Sequence, residues 1–348
     1  MGFAYRCPVC GGLFDFTGPP RYQTVEVEED LSGIWRFRHT FGLDEAAPVV
    51  SLGEGNTPLV WGEAFGRLVG FKLEYLNPTG SFKDRGSAVL VSFACSRGVQ
   101  SALEDSSGNA GASFAAYAAR AGLQARVFVP DSASGPKRAQ IEAYGAELVR
   151  VMGPRSNAGE AARRAADSGG HYTSHAYLPF NLPGYATLAY ELVEQLGNAP
   201  GTVLAPAGQG GLLLGIARGF SALVEAGLIG NLPVLCGVQA RACAPLWAVS
   251  TYGPASLAWI SEGETLAEGI RIRHPLRGDA VLQAVESSRG TFLAVDEEEI
   301  LSGRDELARQ GFYVEPTSAV IWPALAQLPA ETPEPVVAVL TGSGFKVR

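Results

Sequence analysis

The sequence predicts an α/β protein of two lobes, each an open, mostly parallel sheet flanked by helices. Three observations carry this prediction. From Val99 onward short apolar strands alternate with helical stretches, the order that winds a parallel sheet. The alternation closes near residue 174 and restarts at residue 185. Glycine-rich turns follow strands in both stretches, at the strand ends where such sheets collect ligands. A chain of 348 residues is long enough for two lobes with real cores.

The elements follow in order. Residues 1–50 are irregular, hold Pro19-Pro20 and an acidic run at 26–30, and read as an N-terminal arm. Gly53-Glu54-Gly55-Asn56-Thr57-Pro58 is a turn signature. Asn77-Pro78-Thr79-Gly80-Ser81-Phe82-Lys83-Asp84-Arg85-Gly86 sets one lysine in a turn of small and polar residues, before an apolar run that reads as a helix. A strand ends at 102–103, a helix spans 110–121, and a strand at 125–129 closes on Pro130. A helix at 136–144 stops at Gly145, where a glycine suits the left-handed cap. A strand at 147–151, a helix at 158–167 closed by Gly169-Gly170, and a strand at 171–174 complete this unit. The second stretch gives a helix at 185–196, a strand at 202–205, a helix at 212–224, a strand at 234–238 and a last buried strand at 336–340. Pro329, Pro333 and Pro335 mark a surface loop before that strand. The expected organisation is an arm at 1–50, a large lobe from 51–89 and 186–348, and a small inserted lobe at 90–185.

Composition excludes several classes. Apolar residues make 47 % and charged residues 18 %, as in globular rather than disordered chains. A net charge of -8 argues against a nucleic-acid binder, which needs a basic face. No apolar run approaches the roughly 20 residues of a membrane span. The start, Met1-Gly2-Phe3-Ala4-Tyr5-Arg6, lacks the order of a leader peptide, so a cytoplasmic protein is expected. Of five cysteines, Cys7 and Cys10 form a CxxC like one knuckle of a zinc ribbon, but no second CxxC supplies the other two ligands. The preferred reading is a remnant knuckle without metal; a zinc shared between two chains is the alternative.

Four segments carry chemistry. A lysine held in a turn forms a Schiff base with an aldehyde when its amine is made nucleophilic, which singles out Lys83. Ala205-Pro206-Ala207-Gly208-Gln209-Gly210-Gly211-Leu212 is a strand, a glycine turn and a helix start, which suits a phosphate through N–H donors and the helix dipole. It matches neither GxGxxG nor a Walker loop. Ser106-Ser107-Gly108-Asn109-Ala110-Gly111 opens a helix, where N–H groups suit a substrate carboxylate and the Asn109 amide suits a phenolate oxygen. Taken alone, this segment reads as an ordinary N-cap. The hydroxyl of Thr341, in Thr341-Gly342-Ser343-Gly344, stands at the end of the last strand and suits a pyridine nitrogen.

Gly53 to Leu59, the Lys83 stretch, Ser106 to Asn109, Gly208 to Gly211 and Thr341 to Lys346 occur in the order seen in threonine synthases. From about residue 51 to its end the chain resembles that family, a member of the tryptophan-synthase-β group of pyridoxal-phosphate enzymes (fold type II). The knuckle Cys7-Pro8-Val9-Cys10-Gly11 looks like the start of many threonine synthases. The resemblance implies that Lys83 carries pyridoxal 5'-phosphate as a Schiff base and moves the Cα proton. It implies that Asn109 meets the phenolate oxygen, that Gly208, Gln209, Gly210 and Gly211 hold the phosphate, and that Thr341 meets the ring nitrogen. Ser106, Ser107, Gly108 and Ala110 are then the substrate-binding residues. A small amino-acid substrate and a homodimer follow on the same ground.

The chain departs from that pattern at two places. The family usually has threonine where Ala110 stands, and arginine where Asn181 stands in Leu178-Pro179-Phe180-Asn181-Leu182-Pro183-Gly184. Both are expected ligands of the substrate phosphate of O-phosphohomoserine, and an amide lacks the charge and fork of a guanidinium. Gly215-Ile216-Ala217, Gly237-Val238-Gln239 and Ala267-Glu268-Gly269-Ile270 are more similar to serine/threonine ammonia-lyases. Arg271, Arg273 and His274 are alternative anion ligands but read first as a basic loop facing water. His171 and His175 read as strand-end structure, and Asp84 and Arg85 as a solvated helix start. Three readings stay open: a threonine synthase-type lyase; a lyase or β-replacement enzyme (ammonia-lyase or cysteate-synthase-like) on an unphosphorylated amino acid; and a non-catalytic regulatory relative, which the intact Lys83 argues against.

Overall fold

A computed structural model describes residues 3–18, 20–133 and 135–347. Met1, Gly2 and Pro19, which entered the leader and arm readings, lie outside the described residues. The arm contains two 3-10 stretches, Thr24–Glu26 and Gly33–Thr40. It is not loose: Ile34, Trp35, Phe37 and Phe41 are buried.

Strands β1 (Leu59–Ala64) and β2 (Arg67–Lys72) form an antiparallel hairpin. Its two-residue turn puts Phe65 and Gly66 at φ 52° and 72°, the positive values that match strand twist. Then come α1 (Lys83–Ser96), β3 (Ser101–Glu104), α2 (Asn109–Ala121), β4 (Gln124–Pro130), α3 (Pro136–Ala143), β5 (Glu147–Val151), α4 (Arg155–Asp167) and β6 (His171–Tyr172). The later half contains α5 (Leu182–Leu196), β7 (Thr202–Pro206), α6 (Gly211–Glu225), β8 (Val234–Ala240), α7 (Pro245–Tyr252) and α8 (Gly278–Ser287). It ends with β9 (Thr291–Val295), α9 (Glu297–Arg309), α10 (Pro316–Ala319), α11 (Ile321–Ala326) and β10 (Val336–Val339).

Two compact units result. The first takes residues up to Gly55, Asn77–Gly184 and those after Phe345; the second takes Asn56–Leu76 and Tyr185–Phe345. The first has a fully parallel sheet ordered β5-β4-β3-β6. The second has a six-stranded sheet ordered β1-β2-β10-β7-β8-β9, parallel except for the β1–β2 hairpin. The α/β class with mostly parallel sheets therefore holds. The division falls differently from the expected 51–89 and 90–185 boundaries. Residues 77–89 group with the first unit because α1 packs along α2.

Sequence patterning explains the sheets. β7 and β10 are buried at every residue, and such strands read as unbroken apolar runs when helices cover both faces. Leu204, Val238, Val336 and Ala338 join one core of the second unit. A polar knot interrupts that apolar interior. Lys72 Nζ donates to Glu191 Oε2 at 2.8 Å, to the Thr57 carbonyl at 2.7 Å and to Gln195 Oε1 at 3.0 Å. Buried charges need such complete pairing, and this pair ties β2 to α5.

Candidate active site

In the first unit Lys83 is the first residue of α1. The turn before it is closed by Gly80 N–H donating to the Asn77 carbonyl at 2.8 Å. Asn77 Oδ1 in turn accepts the Gly55 N–H at 3.0 Å, which ties the two glycine turns together. Lys83 Nζ lies 4.5 Å from the centroid of the Phe82 ring.

Asp84 and Arg85 are not a solvated helix start: both are fully buried. Asp84 Oδ2 accepts the Thr79 N–H, and Oδ1 accepts the Thr79 and Ser113 hydroxyls, each at 2.6 Å. Burial pushes the Asp84 carboxyl up to about 6, against the pull of its hydrogen bonds and of Lys346. Lys346 Nζ donates to the Thr79 carbonyl at 2.7 Å. Ser81 Oγ, two residues before Lys83, is buried and has no hydrogen-bond partner among the described residues.

β3 runs from Glu104 into the Ser106 turn and then α2. The cap position of α2 is Gly108, and no side chain caps it. The N-cap reading of Ser106 to Asn109 therefore fails: Ser106 Oγ instead accepts the Gly108 N–H at 3.2 Å. Gly111 is required here, since a Cβ would stand 1.8 Å from the Ser106 carbonyl oxygen. α1 and α2 pack together, so Lys83 and Asn109 begin neighbouring helices. His175 Nδ1 lies 2.9 Å from Glu104 Oε1, and Asn181 Nδ2 donates to the His175 carbonyl at 2.8 Å. His171 is a half-buried strand residue tilted against Phe3, in keeping with a structural role.

In the second unit β7 ends at Pro206 and α6 begins at Gly211. Ala207 is held on both sides: its N–H donates to the Val238 carbonyl, and its carbonyl accepts Gln239 Nε2, both at 2.8 Å. A Cβ on Gly208 would meet Ile270 Cα at 2.9 Å. Gly210 has φ 77°, and a Cβ there would meet Val281 Cγ2 at 2.5 Å. Gln209 Oε1 accepts the Leu276 N–H at 3.0 Å, so its side chain fastens the loop that holds Leu276. In that loop Arg273 and His274 are exposed, while Arg271 Nη2 donates to the Glu262 carbonyl at 3.0 Å.

Thr341 follows β10 and is buried. Its Oγ1 lies 3.0 Å from Ser318 Oγ, which also accepts the Gly342 N–H at 2.8 Å. Sequence reasoning passed over Ser318 and Glu104, and met Gln239 only as part of a resemblance. The sole signal for Ser318 is Pro316-Thr317-Ser318 opening a short helix, which says nothing of a partner 23 residues on. Among the described residues no group of three or more His, Cys, Asp or Glu is placed to hold a metal. Cys7 is half-buried and Cys10 exposed.

Residues 50–342 match the family model described as pyridoxal-phosphate dependent enzyme. The chain is 34 % identical to the threonine synthase of Methanocaldococcus jannaschii, over 98 % of this chain and 88 % of that one. It is 36 % identical to the threonine synthase of a Synechocystis species, over 89 % and 82 %. Among solved structures, a threonine deaminase from T.th. superposes with a TM-score of 0.69 at 29 % identity, covering 82 % of this chain and 92 % of that one. Maize serine racemase shares the fold, with a TM-score of 0.70 at 19 % identity, over 83 % and 88 %.

Proposed function

The chain belongs to the pyridoxal-phosphate-dependent enzyme family and to the threonine synthases within it, and from that membership we propose the residue roles and substrate that follow. It is a lyase of threonine-synthase type, and pyridoxal 5'-phosphate is its cofactor. When bound, this cofactor supplies an electron sink for the pair released at Cα.

The residues present fit the group. Gly208 and Gly210 leave no room for a Cβ, which is what a loop closing its backbone around a phosphate needs. The α2 start carries no side-chain cap, and the buried Ser81 hydroxyl beside Lys83 has no partner among the described residues. Lys83 would hold the cofactor covalently and move the proton at Cα. Backbone N–H groups of Gly208, Gln209, Gly210 and Gly211 would hold the phosphate. Asn109 would donate to the phenolate oxygen. Thr341, braced by Ser318, would meet the ring nitrogen; a neutral hydroxyl there keeps the ring a weaker sink, which suits elimination and replacement. Ser106, Ser107, Gly108 and Ala110 would orient the substrate carboxylate at the α2 start.

The reaction is elimination or replacement at the β or γ carbon of an amino acid. The name of the relatives favours O-phosphohomoserine going to threonine and phosphate, in threonine biosynthesis. Ala110 and Asn181 favour a second reading, an ammonia-lyase or cysteate-synthase-like β-replacement on an unphosphorylated amino acid. We also propose a homodimer in the cytoplasm, acting on small molecules and not on nucleic acid. The carrying observation is the lysine turn, glycine loop and Thr341 turn in one chain. The purified enzyme should show a visible cofactor band, and Lys83→Ala should lose it. Borohydride reduction followed by peptide mapping should label Lys83. A label elsewhere in cofactor-saturated protein would overturn the assignment.

A further inference from the structure

The knuckle of the arm, Cys7 to Gly12, has no part in those roles. Two backbone hydrogen bonds close it: Cys7 N–H donates to the Gly12 carbonyl at 2.8 Å, and Gly11 N–H to the Cys7 carbonyl at 2.9 Å. Gly11 makes the turn at φ 70°. Backbone N–H groups of Cys10 and Val9 donate to the Cys7 sulfur, and the Cys10 thiol does so too, which together hold the Cys7 thiol below its ordinary value. The two sulfurs are therefore neighbours on one side of the turn, as two ligands of one metal must be. A Cβ on Gly12 would stand 3.3 Å from Cys10 Sγ, so the glycine keeps that sulfur open.

The chain on either side of the knuckle is anchored in the first unit. Tyr5 is buried, its ring edge-on to Tyr172 and to Tyr177 at 5.2 Å each. Phe16 is edge-on to Phe180 at 5.5 Å. Between these anchors the tip meets solvent: Val9 is 93 % exposed, and Cys10 is exposed. The thiol pair is presented outward from a fixed base.

A pair of thiolates selects soft, tetrahedral ions, and a structural zinc closes with four ligands. This chain lacks the other two. Among the described residues no third His, Cys, Asp or Glu joins the pair. Cys95 is half-buried in α1, and Cys236 and Cys243 are buried. A second copy carries the same pair on the same outward tip, and a two-fold axis through the metal brings both pairs to it. Residues 7–12 carry no charged side chain to hold two tips apart. Arg6, exposed beside each knuckle, would offset the double negative charge that four thiolates and one Zn2+ leave.

We infer that Cys7 and Cys10 are half of a zinc site, and that a second copy of the chain supplies the other half. One Zn2+ then joins two arms. Each of the four thiols gives its proton to solvent as its sulfur binds, and nothing is oxidised or reduced. The site is independent of the cofactor assignments and of the lyase reading.

The test loads the purified holoenzyme with zinc chloride and dialyses it against metal-free buffer. Zinc per chain and zinc-edge X-ray absorption are then measured. Half an equivalent of zinc per chain should stay, with four sulfur neighbours at about 2.3 Å. Four sulfurs from a chain with two reachable thiols require two chains. Bound zinc should shield Cys7 and Cys10 from alkylation, read by peptide mapping. Cys10→Ala should lose the zinc while its cofactor band and melting temperature match those of the zinc-free parent. Should that variant fold poorly, alkylating the zinc-free parent first should abolish retention equally. One zinc per chain, or two sulfurs with oxygen or nitrogen neighbours, would mean a site completed by water or buffer and would overturn the inference. So would complete loss of zinc on dialysis, or zinc that Cys10→Ala leaves in place.

Discussion

The carboxyl of Asp84 accepts three hydrogen bonds of 2.6 Å from Thr79 and Ser113, yet burial still pushes it up to about 6. Thr79 and Asp84 bracket the turn that presents Lys83, and Ser113 lies on α2, so one side chain aligns the starts of two helices. Its position in the sequence, beside a lysine and before an arginine, looks like a surface helix start. Local patterning carries no sign of burial because Ser113 reaches it from 29 residues away and Lys346 reaches Thr79 of the same turn from 267 residues away. The folded carboxyl titrates above its ordinary 3.8. The stability it contributes is therefore complete below about pH 4 and is lost as pH rises through about 6. Asp84→Asn cannot ionise and should flatten the fall in melting temperature between those values. At pH 7 two effects oppose: relief of the buried charge, on the order of 3 kcal/mol, and a hydrogen-bond donor left facing Nδ2, about 1–3 kcal/mol. The net change there should be small, so the slope is the discriminating quantity. An unchanged slope would mean that Asp84 does not titrate in this range.

At the scale of elements, β7, the glycine turn and α6 act as one piece. The strand is fixed by β8 and β10, and Gln239 fixes the Ala207 carbonyl before the turn. Gly210 must then adopt φ 77° against Val281, which no residue with a Cβ does at low cost. Gly210→Ala should weaken cofactor retention through shape alone. Gly210→Asp should abolish it, because it adds a carboxylate to the loop proposed to hold the phosphate. Cofactor content after gel filtration separates them, and normal occupancy in the aspartate variant would refute the loop assignment. This unit was legible because its apolar run and glycine pair are adjacent in sequence. The β1–β2 hairpin was not, since Phe65 at positive φ sits where Asn or Asp would have announced the turn. α8 and α9 were also passed over. α9 carries a capping box, Asp296 with Glu299, but lies between charged residues that mask its apolar face.

For the whole molecule, what the sequence made legible is what repeats locally: parallel strands as apolar runs, helix starts after glycine turns, and the lysine turn. What it hid are the long-range polar ties, Lys72 with Glu191, Lys346 with Thr79 and Ser318 with Thr341, because no local period encodes a partner. Packing of α1 along α2, with the tie from Lys346 to Thr79, is why residues 77–89 group with the first unit. The proposed cofactor ligands are drawn from segments as far apart as Lys83 and Thr341, so binding should oppose unfolding of the chain as a whole. A ligand present at a hundredfold its Kd stabilises a fold by about 2.7 kcal/mol. With an unfolding entropy of about 2.1 cal/mol/K per residue, 348 residues convert that to a shift of about 4 °C. Stripping the cofactor should lower the melting temperature by at least this much, because the proposed covalent tether at Lys83 would add to the noncovalent hold. Adding pyridoxal 5'-phosphate back should restore it. Adding pyridoxal without the phosphate should restore less, since the 208–211 loop then has no anion to hold. Equal recovery with both compounds would separate the glycine loop from the cofactor and leave Lys83, Asn109 and Thr341 as the proposed contacts.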